Sequence, residues 1–176
     1  MSSWYDDKVI FAFIEQPYRK AYNEDRNSSY RKGLSTVGLL LKENIEINCI
    51  ARPKEQVIRD IGKKLCESGY VDESYIEAML LREESFSTNI GNGIALPHGI
   101  EAAKKTIKKS GIAVMVFPEG TDWGSEKVKL VIAVAGIGEE HLEILSNIAE
   151  KLSDIENVIR VINSSTDVIY EILTEK

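Results

Sequence analysis

One of the two histidines in this chain, His98, stands between a proline and a glycine at the close of the stretch Gly91-Asn92-Gly93-Ile94-Ala95-Leu96-Pro97-His98-Gly99. Pro97 and Gly99 cannot continue a helix, and the residue before a proline is pushed toward extended geometry. The spacing therefore puts the ring at the end of a short strand over Ile94 to Leu96. A neutral imidazole presents one lone pair near neutral pH, which suits a nitrogen nucleophile that accepts a group and gives it up again. His141 falls in the first turn of a predicted helix, and Arg82 near the end of another. Each also has a plain reading. His98 fits a core or surface histidine in an ordinary Gly/Pro turn, His141 a capping or interface histidine, and Arg82 a solvated cation favoured by the helix dipole. Cys49 and Cys66 have no metal-ligand or redox spacing and read as buried small hydrophobes.

The elements that must position these residues are legible from periodicity. Ile45, Ile47 and Cys49 alternate as in a short strand after a lead-in through Leu39 to Leu41. A helix follows, with Pro53 in its first turn, Val57, Ile58, Ile61 and Leu65 at helical spacing, and Gly69 where a C-terminal cap belongs. A second helix has Asp72 or Ser74 as cap and Tyr75, Ile76, Met79 and Leu80 as its buried stripe, with Arg82 near its end. Glu83 and Glu84 read as solvated or orienting groups rather than reacting acids.

After His98, the run Glu101 to Lys109 is basic and helix-like. It is either a solvated face or a helix whose N-terminal N–H groups aid anion binding. Ile112 to Phe117 and Val128 to Ala135 are unbroken apolar runs, the mark of strands covered on both faces. The segment between them, Pro118 to Gly124, reads as a loop whose Trp123 is a lid on the core or a partner contact. Gly136-Ile137-Gly138 resembles a phosphate loop only superficially, because no Lys-Ser/Thr follows. Helices are predicted over Glu139 to Leu152, Ile155 to Ile162 behind Asp154, and Asp167 to Leu173 behind Ser165 or Thr166. This order implies an α/β fold with a single sheet covered by helices on both faces.

A chain of 176 residues with 43% hydrophobic content fits one domain with room for an appendage. Residues 1–34 read as an N-terminal extension or linker and residues 35–176 as the domain. Within the extension, Val9 to Ile14 suits a strand or a short docking helix. A net charge of -6 argues against nucleic-acid or anionic-membrane binding, which needs clustered Lys and Arg. Val9 to Ile14 follows two aspartates and is too short for a signal peptide or a membrane span, so a cytoplasmic protein is expected.

The window from Glu83 through Ile90-Gly91 to Ile94-Ala95-Leu96-Pro97-His98-Gly99 resembles the phosphohistidine signature of the mannitol/fructose type of enzyme IIA. These are phosphocarrier domains of the bacterial sugar phosphotransferase system. Gly69-Tyr70-Val71, Tyr75 to Leu80, Arg82 sixteen residues before His98, Phe117-Pro118-Glu119-Gly120 with Gly124, and Glu140-His141-Leu142 follow the mannitol branch in order. About residues 38 to 176 are covered.

The resemblance implies a mixed sheet and a phosphotransferase. His98 would take a phosphoryl group on its tele nitrogen from the phosphocarrier protein HPr. It would pass the group to a cysteine of an enzyme IIB, which works with a membrane enzyme IIC, during uptake of a sugar alcohol, most simply mannitol. No cofactor and no metal are implied. Arg82 would meet the phosphoryl oxygens through its two-pronged guanidinium, and His141 would approach the active ring. At Asn92 the mannitol branch often carries an acidic residue, so the sugar assignment is weaker there and a repulsion from the phosphate is removed. A regulatory module, whose His98 phosphorylation signals to a transcriptional regulator, is the competing reading, although the chain shows no helix-turn-helix and no basic patch. A hydrolase using His98 and an acid lacks a placed Ser or Cys nucleophile.

Overall fold

A computed structural model describes residues 38–175. The expectation of a strand or helix over Val9 to Ile14 lies outside the described residues. The elements are β1 (Leu40–Glu46), α1 (Lys54–Glu67), α2 (Ser74–Ser85), β2 (Asn89–Gly91), β3 (Ile94–Ala95), a 3-10 turn (Glu101–Thr106), β4 (Gly111–Asp122), β5 (Lys127–Ala135), α3 (Glu140–Lys151), α4 (Ile155–Ile162) and α5 (Thr166–Thr174). The five strands form one sheet in the order β1-β4-β5-β3-β2. β1 runs parallel to β4 and β3 parallel to β5, while β4–β5 and β2–β3 are antiparallel, so the sheet is mixed.

The apolar runs of β4 and β5 are continuous because both faces are covered. Ala113, Met115, Phe117, Val131, Ala133 and Ala135 face one core, packed by Val57, Ile58, Ile61 and Leu65 of α1 and Tyr75 and Met79 of α2. Ile112, Val114, Val116, Leu130, Ile132 and Val134 face the other, packed by α3, α4 and α5 through Ile144, Ile148, Val158, Val161 and Ile169. Successive strand side chains point to opposite faces, so every second residue belongs to the same core. Trp123 is buried against the first core, as a lid on it rather than a contact for partners.

Several boundaries differ from the sequence expectation. β1 starts at Leu40 and ends before Ile47, and its pairing with β4 shifts register between Leu40 and Ile45. β4 continues through Pro118 to Asp122 past a break in register after Val116, so most of the predicted loop is strand. Neither Asp72 nor Ser74 caps α2 through its side chain. The Tyr75 amide donates to the Asp72 carbonyl, and the Asp72 carboxylate pairs with Lys108 at 2.7 Å. The basic run after His98 forms only the short 3-10 turn.

A hairpin over β2 and β3 went unread in the sequence. Asn92 and Gly93 connect the strands with φ of 53° and 71°. A two-residue connection with both φ values positive favours Asn-Gly, and this dipeptide was the available signal. The hairpin tip joins β5 near Leu130, whose amide donates to the Gly93 carbonyl at 3.0 Å. His98 bridges to Val134, so the tip lies four residues away along β5, or ~13 Å at strand rise. The inference that Asn92 relieves a repulsion at His98 is therefore corrected: separation in space, not residue type, keeps that position out of the site.

Candidate active site

His98 is held by hydrogen bonds to the end of β5. The Val134 amide donates to the Pro97 carbonyl at 2.9 Å, and the Leu96 amide donates to the Thr88 carbonyl at 2.9 Å. Leu40, Ile112, Val134 and His98 occupy one row across the sheet, which puts the histidine at the carboxyl end of β5. The ring is 3% exposed, and its Nδ1 lies 2.8 Å from the Leu96 carbonyl oxygen. A carbonyl only accepts, so Nδ1 carries the proton and the lone pair is on Nε2. Burial chiefly, then the neighbouring His141, push the His98 pKa down to about 3, against a smaller upward pull from the Leu96 carbonyl.

His141 enters from the first turn of α3, and the two rings stand 5.2 Å apart between centroids at 58°. The close approach depends on Gly136, where a Cβ would collide with the His141 backbone. The glycine pair that looked like a phosphate loop thus serves packing at its first member. Ser110 fixes the same corner: its hydroxyl donates to Glu140 and accepts from the Ile137 amide at 3.0 Å. Burial and the positive charge of Lys104 lower the His141 pKa to about 4. Both rings are therefore neutral near pH 7.

Arg82, in the last turn of α2, is buried at 5% exposure rather than solvated. Its Nη1 donates to the Phe86 carbonyl at 2.7 Å, and its charge depresses the pKa values of both His98 and His141. Glu83 is an orienting group. Buried, it accepts from the Thr88 amide at 2.8 Å, the Thr88 hydroxyl at 2.5 Å and the Ser87 hydroxyl at 3.0 Å, and pairs with Lys54 at 3.3 Å. Since Thr88 holds Leu96, this carboxylate braces the hairpin that delivers His98.

The structure thus brings His98, His141 and the influence of Arg82 together. Sequence reasoning missed the parts played by Ser110, Gly136 and the Tyr75 hydroxyl, which donates to the Val134 carbonyl at 2.8 Å and accepts from the Gly99 amide at 2.9 Å; none announces itself by local pattern. A cavity of about 20 Å³ opens beside the rings, lined by Tyr75, Lys104 and Leu142 among others. That is room for about one water-sized group. Cys49, whose thiol burial pushes up to about 11, is no nucleophile at neutral pH. Among the described residues, no group of three His, Cys, Asp or Glu side chains is gathered for a metal.

The family model described as phosphoenolpyruvate-dependent sugar phosphotransferase system, EIIA 2, matches residues 38–176. The chain belongs to this enzyme IIA family. A mannitol-specific phosphotransferase enzyme IIA component of Geobacillus stearothermophilus is 46% identical over 139 residues, covering 78% of this chain and 96% of that protein. The crystal structure of the mannitol IIA of Escherichia coli superimposes with a TM-score of 0.71 at 36% identity, over 76% of this chain and 98% of that one. The complex of the Escherichia coli mannitol enzyme IIA with phosphorylated enzyme IIB matches with the same TM-score of 0.71 at 34% identity, over 78% of this chain and 98% of that one. All three matches span nearly the whole of the related protein, and the phosphotransferase assignment and mixed α/β fold stand. No helix among the described residues is long and apolar enough to cross a membrane.

Proposed function

We propose that this enzyme IIA is a cytoplasmic phosphocarrier for mannitol uptake, accepting a phosphoryl group from phospho-HPr on His98 Nε2 and passing it to a cysteine of an enzyme IIB. The observation that carries the reading is the 2.8 Å contact between His98 Nδ1 and the Leu96 carbonyl, which reserves Nε2 as the lone-pair nitrogen of a neutral ring. In the transfer the N–P bond of the donor's phosphohistidine breaks as the Nε2–P bond forms. The Nδ1 proton stays on the ring, and the Leu96 carbonyl stabilises the positive charge that develops there. In the second step the Nε2–P bond breaks as the partner's thiolate takes the phosphorus, and the His98 ring returns to neutral.

Arg82 and His141 act as charge and hydrogen-bond donors to the equatorial oxygens of the transferred group, the role that electrostatic stabilisation has in phosphoryl transfer. The space beside His98, about 20 Å³, supports a site that handles a small group carried by partner proteins, since a pocket for a free ligand is at least ten times larger. Mannitol itself is then bound elsewhere, on the membrane enzyme IIC that works with the IIB. The domain is assigned to residues 35–176 and the preceding residues 1–34 to an extension, which agrees with a family match beginning at residue 38. The specificity rests on the 46% identity to a mannitol component.

The test is incubation with phosphoenolpyruvate, enzyme I and HPr, followed by addition of a mannitol-type enzyme IIB. One phosphoryl group should be gained on His98, be lost in acid, survive alkali and move to the IIB. Label on Ser or Thr, or a label that the IIB never receives, would sink the carrier reading.

A further inference from the structure

A parallel bridge between His98 and Val134 calls for two hydrogen bonds, one from the Val134 amide to the Pro97 carbonyl and one from the Gly99 amide to the Val134 carbonyl. The first is present at 2.9 Å. In place of the second, the Gly99 amide donates to the Tyr75 hydroxyl oxygen at 2.9 Å, and that hydroxyl donates to the Val134 carbonyl at 2.8 Å. A phenol from α2 is thus inserted into the strand ladder one residue beyond the histidine. It occupies the position a bridging water would take, and all its hydrogen-bonding partners are backbone groups that flank His98.

The insertion has no slack. Tyr75 is 1% exposed, and a Cβ on Gly99 would lie 2.5 Å from its ring, so the glycine is what lets the ring pass. Burial pushes the phenol pKa up to about 12, which keeps the proton that the Val134 carbonyl accepts. An ordinary strand pair would draw residue 99 against β5. The wedge holds it one hydroxyl away, opening the ladder where the chain leaves the sheet for the 3-10 turn. The direction of the His98 Cα–Cβ bond, and with it the alignment of Nδ1 on the Leu96 carbonyl, is set by peptides fixed on both sides of the residue.

We infer that Tyr75 is a positioning residue for phosphoryl transfer: its hydroxyl, interposed between Gly99 and Val134, fixes the backbone that aims His98 Nε2. This rests on the reading of His98 as phosphoryl acceptor. Removing the oxygen in Tyr75→Phe leaves the apolar core filled. It either lets the ladder close, moving Gly99 toward β5, or leaves an amide and a carbonyl without partners. Both outcomes disturb the His98 ring through its backbone.

The experiment compares the wild-type chain, Tyr75→Phe and Tyr70→Phe in rapid-mixing phosphorylation by phospho-HPr, alongside nitrogen NMR of the histidine rings. Tyr70 supplies the control because it is another buried phenol of the same core, whose hydroxyl reaches the Gly38 carbonyl at 3.4 Å instead of the site. Tyr75→Phe should fold and bind donor with an unchanged half-saturating concentration. Its first-order transfer rate should fall about tenfold, and the His98 nitrogen signals should shift toward a mixture of the two neutral tautomers. Tyr70→Phe should transfer at the wild-type rate even if it melts earlier. A wild-type rate and unchanged His98 nitrogen signals in Tyr75→Phe would overturn the assignment, as would equal slowing in the two variants, which would mark a general effect of stability. A wild-type chain that takes no phosphoryl group would overturn the carrier reading, and this one with it.

Discussion

The two histidines are chemically alike and differ in what their backbone does with them. His98 hydrogen-bonds its Nδ1 to a carbonyl two residues back, so only Nε2 can attack, whereas His141 rides a helix start beside it. His98→Ala should therefore abolish phosphorylation. His141→Ala should still accept phosphate but pass it on more slowly, since a group that only stabilises charge costs part of the barrier when removed. Arg82→Lys replaces a two-pronged donor with a point charge and should slow transfer by ~1.5–3 kcal/mol of transition-state stabilisation, the scale of one charge-assisted hydrogen bond. Rapid-quench transfer assays on the three variants check the order of these effects. Unchanged rates in Arg82→Lys would limit Arg82 to a structural part, such as its bond with the Phe86 carbonyl.

Elements matter here by bringing ends together. α3 reaches His98 because Gly136 lets its first turn lie against the end of β5. Gly136→Ala forces a Cβ into the His141 backbone and should cost about 1–3 kcal/mol of stability through overpacking. It should also slow transfer through displacement of His141, measurable by denaturant unfolding beside the transfer assay. The β2–β3 hairpin gives the opposite expectation. Asn92 sits at its exposed tip, and aspartate tolerates positive φ nearly as well as asparagine. At a separation of ~13 Å, beyond the Debye length of about 8 Å at physiological salt, Asn92→Asp should leave the transfer rate within about twofold of wild type. A larger drop would put the tip back into the site.

For the molecule as a whole, the burial of two neutral histidines has a pH consequence. Their folded pKa values, about 3 and about 4, lie below the ordinary 6.5 of the unfolded chain, so the unfolded state binds more protons between these limits. The stability they contribute is complete above about pH 6.5 and is lost as pH falls through that window toward 4 and 3. Thermal melts between about pH 7.5 and pH 5 should show a falling midpoint, and His98→Ala should flatten the slope. A slope unchanged by that substitution would mean His98 is not held neutral by the fold. The domain boundary is tested by truncation. A chain starting at Gly38 keeps every described element, including the row from Leu40 to His98, and should melt cooperatively and accept phosphate as the full chain does. Its failure to fold would show that the domain needs residues before Gly38.

The sequence by itself determined the parts governed by local chemistry. Pro97 and Gly99 end the helical option and give His98 its address, Gly69 takes a φ of 72° at the end of α1, and the unbroken runs of β4 and β5 report that both faces of the sheet are covered. Residue patterns carried the family, and Arg82 and His141 were named through it. What only the tertiary structure decided depends on how the elements meet around His98, which no single element's pattern contains. The Leu96 carbonyl selects the nitrogen, Gly136 admits His141, and Glu83 turns inward to Thr88 although its sequence neighbours suit a solvated helix end. The Tyr75 hydroxyl is the sharpest case. Periodicity assigns that side chain to a buried stripe, but only the meeting of α2 with the ends of β3 and β5 puts its oxygen between two peptides. A local pattern constrains dihedrals and faces, whereas hydrogen-bond partners across elements are fixed only once all the pairings close together.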